Sequence, residues 1–119
     1  MNTEFLKKMS KTELSCYSYY ALCNLCEATR CAEDEADFYL TLSEYASDLK
    51  GYLNNLSLML RYLGISCQGL QDKSDFNINN TDFFEIILDN LQDHYSKEIR
   101  KSKDLGGYDS LHHTELAKF

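Results

Sequence analysis

Apolar residues recur at steps of three and four along most of this chain, the spacing that gathers side chains on one face of an α-helix. From about Thr3 to Cys31 the stripe is Leu6, Met9, Cys16, Tyr17, Tyr20 and Cys23. Glu33, Asp34, Glu35 and Asp37 then gather where a second helix would begin, a position at which the helix dipole favours negative charge. That second helix runs to about Leu63 with the cleanest stripe of all: Phe38, Leu42, Tyr45, Leu49, Tyr52, Leu56, Met59 and Leu63, widened by Ala46, Leu53 and Leu60. Gly64 suits a helix stop. Residues from about 64 to 81 are polar and irregular. Asp82-x-x-Glu85 has the form of a capping box opening a third helix, whose stripe is Phe84, Ile87, Leu88, Leu91, Tyr95 and Ile99. Gly106-Gly107 breaks it. Leu111, His112, Glu115, Leu116 and Phe119 keep helical register for a short fourth helix beginning near Tyr108.

The connections order these segments. The first and third joints are short, so each pair should form an antiparallel hairpin. The second helix would be roughly 45 Å long at about 1.5 Å per residue. The irregular segment, about 16 residues, reaches roughly 53 Å when extended. It can therefore return along the whole bundle, so that the third helix runs parallel to the second. The expected architecture is all-α, one domain over residues 1–119, an antiparallel bundle with one long crossover and a short C-terminal helix.

Composition agrees with an all-helical reading. The 119 residues contain no Pro, Trp or Val, and β-branched residues are those that fit a pleated sheet best. The longest uncharged run, Ser15 to Cys26, is too short and polar to span a bilayer. No charged-then-apolar leader opens the chain, which leads to the expectation of a cytoplasmic protein without membrane partners. A net charge of −7 disfavours nucleic-acid binding and suits either a cation or a basic partner. The five cysteines are odd in number and four of them fall in the first helix, so reduced thiols are expected.

The segment Glu13-Leu14-Ser15-Cys16-Tyr17-Ser18-Tyr19-Tyr20 resembles the first helix of ferritin-like and rubrerythrin-like proteins, where a metal-binding Glu precedes an inward Tyr. Asp37-Phe38-Tyr39-Leu40-Thr41-Leu42-Ser43-Glu44 is similar to their second helix, a Phe leading into a ligand segment. The resemblance covers about Phe5 to Leu63. It implies a ferritin-like bundle handling iron, with manganese or zinc also suited to the donors, or a descendant that binds no metal. The family's Glu-x-x-His of the second helix is replaced here. Facing favours Tyr45 and Asp48 as the equivalents, and Glu44 and Ser47 point to solvent. The second Glu-x-x-His has no counterpart before Phe119, so the site is degenerate.

The candidate metal ligands are Glu13, Asp48, Glu98, His112 and Glu115, with Tyr20 nearby and His94 at the border of the third stripe. Buried carboxylates need partners, and a metal is one. Each has a bland alternative. Ser10-x-x-Glu13 also fits a capping box, which would place Glu13 at a helix start. Glu98 can pair with Lys97, Arg100 or Lys101 at the surface. The His pair near the terminus can be solvent-exposed. Leu14, Ala21, Leu22 and Leu25 lie outside the main stripe of the first helix and predict homo-oligomerisation through it. Three functional classes follow: a ferritin-like metal protein, a non-enzymatic acidic helical protein that sequesters or inhibits a protein partner, or a structural oligomerisation domain with no ligand.

Overall fold

The computed structural model describes residues 4–44, 48–66 and 77–104, and within them all regular structure is helical. The elements are α1 (Glu4–Lys7), α2 (Lys11–Cys31), α3 (Glu35–Ser43), α4 (Leu49–Tyr62), a 3-10 turn (Ile78–Asn80) and α5 (Thr81–Asp104). The expected fourth helix, with His112 and Glu115, lies outside the described residues.

Two of the expected helices are interrupted, and in both cases a short polar side chain makes the break. Ser10 is the N-cap of α2: its hydroxyl accepts from the Glu13 N–H, and the Glu13 carboxylate accepts from the Ser10 N–H, both at 3.1 Å. This reciprocal capping box satisfies two backbone donors and starts a new helix three residues after α1 ends. In the second segment, Thr41 Oγ1 and Ser43 Oγ donate to the carbonyls of Asp37 and Leu40. Asp48 then caps α4 by accepting from Gly51 N–H at 3.0 Å. Such local bonds compete with an uninterrupted helical ladder. The single long second helix is therefore two helices. Asp82-x-x-Glu85 also differs from expectation. Asp82 lies inside the first turn of α5, and Asn77 caps the preceding 3-10 turn by accepting from Asn79 N–H.

Gly64 ends α4 as anticipated. Its φ is 76°, a left-handed conformation that glycine adopts without steric cost. The Ile65 N–H bonds the Leu60 carbonyl and the Gly64 N–H bonds the Arg61 carbonyl, each at 2.9 Å, the paired bonds of a Schellman motif. Buried Ile65 and Leu60 supply its accompanying apolar contact.

α2 is the central element, packed against α3, α4 and α5. Thr12, near the start of α2, bonds Glu98, near the end of α5, so these helices are antiparallel. Leu14 and Tyr62 line one hollow with Leu6 and Met9, which places the end of α4 at the start of α2. At the opposite pole, Ile78 N–H bonds the Glu35 carboxylate at 3.4 Å. α4 and α5 consequently run in the same direction, as the crossover length suggested. Tyr95 OH donates to the Leu63 carbonyl and ties the two together near that shared end.

The core combines Tyr17, Ala21, Leu22 and Leu25 of α2 with Phe38 and Leu42 of α3, Tyr52, Leu56 and Met59 of α4, and Phe84, Ile87 and Leu91 of α5. The stripes foreseen for α4 and α5 are buried at Tyr52, Leu56, Met59, Leu63, Phe84, Ile87, Leu91 and Ile99, and partly buried at Leu88 and Tyr95; Tyr45 and Ala46 lie outside the described residues. The stripe of α2 is different. Leu14, Ala21, Leu22 and Leu25, assigned to a subunit interface, are buried inside the chain, whereas Tyr20 and Cys23 are only half-buried. A helix with neighbours on several sides uses most of its circumference internally, so the surface reserved for self-association is already consumed.

This packing assigns different costs to two leucines. Leu25→Ala, at a fully buried position, is expected to lower stability by about 2–5 kcal/mol. Leu40→Ala, at a position 65% exposed, should stay within about 0.5 kcal/mol. Urea unfolding of both variants checks the assignment, and equal losses would contradict it.

Candidate functional site

The described metal candidates occupy structural positions. Glu13 is held in the first turn of α2 by the capping box. Asp48 is exposed and caps α4. Glu98 accepts from Thr12 Oγ1 at 2.5 Å and from Lys101 Nζ at 3.5 Å. Glu13 and Glu98 lie toward one pole. Asp48 begins the helix that ends there, so it stands roughly 20 Å away at about 1.5 Å rise per residue. His94 is exposed. Among the described residues, no group of three or more His, Cys, Asp or Glu is placed to hold a metal ion. His112 and Glu115 lie outside those residues. Glu13 and Asp48 are bound to backbone N–H groups at separate helix starts and Glu98 to Thr12 and Lys101, so these three described donors form no shared coordination shell.

The pole around Glu98 has a defined electrostatic arrangement. The Thr12 hydroxyl, first, and Lys101 hold the Glu98 carboxyl below the ordinary carboxylate range. Lys11 Nζ lies 5.9 Å from the centre of the Tyr95 ring, within cation–π range. Tyr95 departs from helical geometry at φ −128° and ψ 20°, kinking α5 beside an open hollow lined in part by Lys11, His94, Lys97 and Glu98. No described nucleophile stands against a base there.

The thiols of Cys26 and Cys31 are not activated. Burial pushes Cys26 up, and the Glu27 carboxylate bonded to Cys31 pushes that thiol up. A raised thiol holds little thiolate, the nucleophilic and metal-binding form.

What the motif reading missed is the distribution of charge. Lys7, Lys8, Lys11, Arg61, Lys97, Arg100 and Lys101 occur at the pole where α2 begins and α4 and α5 end, together with Glu13 and Glu98. Glu27, Glu33, Asp34, Glu35, Asp37, Asp82 and Glu85 occur at or near the other, with Arg30, paired to Glu27 at 3.9 Å, and Lys50. Asp89 and Asp93 extend the acidic side along α5. The signal was present in the sequence: no Lys or Arg occurs between Lys73 and Lys97. No protein-family model, curated protein or solved structure matches the chain.

The Thr12–Glu98 bond yields a pH prediction. A carboxyl lowered in the folded state stabilises the fold fully above its unfolded value, and that contribution is lost as pH falls through the folded value. Thr12→Val removes the principal cause, so the Glu98 titration should move upward in a carbon-detected NMR experiment. An unchanged midpoint would refute the assignment.

Proposed function

We propose that this chain is a non-enzymatic helical binding domain that engages a basic protein partner through its acidic side. The single observation carrying this reading is the segregation of charge just described. The fold collects carboxylates from the end of α2, the start of α3 and the first half of α5, and leaves most of them facing solvent. Such a field raises the encounter rate with a cationic protein and disfavours wrong partners. The acidic net charge adds to it.

A second reading, descent from a ferritin-like metal protein, has one observation in its favour. α4 and α5 run in the same direction across a long connection, as a ferritin-like bundle requires. The ligand positions weigh against a working centre in this reading.

Co-purification of the full chain from its source cells at low salt tests the first proposal. One basic protein should be retained in stoichiometric amount and be released as salt rises, since exposed charges are screened beyond a Debye length of about 10 Å at 0.1 M. Recovery of the chain alone, carrying stoichiometric iron by elemental analysis, would overturn it and favour the second.

A further inference from the structure

Within that reading, which this inference rests on, the contact surface can be located. We propose that the outer face of the first half of α5 docks a cationic amphipathic helix of the partner.

At about 100° per residue, Ile86 falls on the side of α5 away from its buried residues Phe84, Ile87 and Leu91, and Phe83 lies at the flank, between Ile87 and Ile86. They are 44% and 56% exposed. Asp82, Glu85, Asp89 and Asp93, all exposed, form a carboxylate row beside them. None of the four makes an ion pair among the described residues.

Isolated exposed apolar residues are ordinary, and acidic residues at a helix start are favoured by the dipole. These facts account for Asp82 and partly for Glu85. They do not account for Asp89 and Asp93, because the dipole effect fades beyond the first turn. The spacing adds a further constraint. Asp82 and Glu85 are three apart, and Glu85, Asp89 and Asp93 follow at intervals of four. Like charges at these intervals destabilise a helix. The free protein therefore carries a row of mutual repulsions, beside apolar surface, that a covering cation would relieve.

Charge complementarity selects the occupant. A second copy docked symmetrically on this face would set the same carboxylates against one another. Nucleic acid and anionic lipid are repelled. A helix with Lys or Arg flanking a Leu stripe satisfies both halves of the surface: its cations meet the carboxylate row and its apolar side chains cover Phe83 and Ile86.

The test titrates a synthetic amphipathic Lys/Leu helix into the isotope-labelled full chain and maps amide shifts by NMR. Shifts concentrated on residues 82–93 are expected. The double variant Phe83→Ser, Ile86→Ser should weaken binding by about tenfold or more while leaving the circular dichroism unchanged. Asp89→Lys with Asp93→Lys should do the same by removing the charge half. An oligolysine lacking leucine should bind more weakly, and equal binding would overturn the apolar role. Shifts centred on α3 around Leu40 would overturn the location and leave the basic-partner reading standing. Absence of binding anywhere would overturn both. A wild-type dimer in sedimentation that Phe83→Ser dissociates would make a second copy the occupant. Movement of the Phe83 resonances on substituting Leu116 and Phe119 by Ser, without peptide, would make it the chain's own residues 105–119. Either result would overturn the proposal.

Discussion

Burial of α2 on several sides is the constraint on which this fold depends. Its surroundings are unlike on each side: the pair α3 and α4, then α5, with Leu6 of α1 closing one end. Such a helix needs many inward positions, and most of them must be small if neighbours are to approach closely. Ser15, Cys16, Ser18, Ala21, Cys26 and Ala28 meet that need, all buried, while Tyr17, Leu22 and Leu25 provide the bulk. The result is a chain whose central helix reads as weakly amphipathic although it is the most enclosed element.

That composition explains which parts of the fold were legible. α4 and α5 face the core with one side only, so Leu56, Met59, Phe84 and Leu91 mark an unambiguous stripe. Gly64 announced its own turn, because no other residue enters a left-handed conformation so cheaply. The length of the connection permitted a parallel course of α4 and α5 but did not require it, and the single long helix it was measured against is two helices. The new helix starts at Ser10 and at Asp48 were not legible from periodicity. A stripe counts apolar spacing, and Phe38, Leu42, Tyr52 and Leu56 keep that spacing across an interruption since each half must still face α2. The capping side chains carried the missing information: Ser10 with Glu13, and Asp48 with Gly51.

The same confusion produced the metal proposal. A Glu three residues past a Ser reads as a buried ligand if the helix is taken to begin earlier, and as a cap if it begins there. The structure of α2 resolves this in favour of the cap. Asp48 follows the same logic at the start of α4. Carboxylates at helix starts are already bonded to backbone N–H groups, and releasing them to a metal would expose those donors again. The candidate surface on α5 escaped motif reading for the opposite reason. It has no signature spacing of ligands, only an absence of positive charge over more than twenty residues.

Among the described residues, the interior holds polar side chains but no charged ones. The polar atoms most fully enclosed by the core and lacking a hydrogen-bond partner are neutral: Ser15 Oγ, Ser18 Oγ and Asn55 Oδ1. Hydroxyls and an amide cannot offset the desolvation of a divalent cation, for which buried sites supply anionic ligands. The charged groups lie instead where the helices begin and end, and along the exposed side of α5.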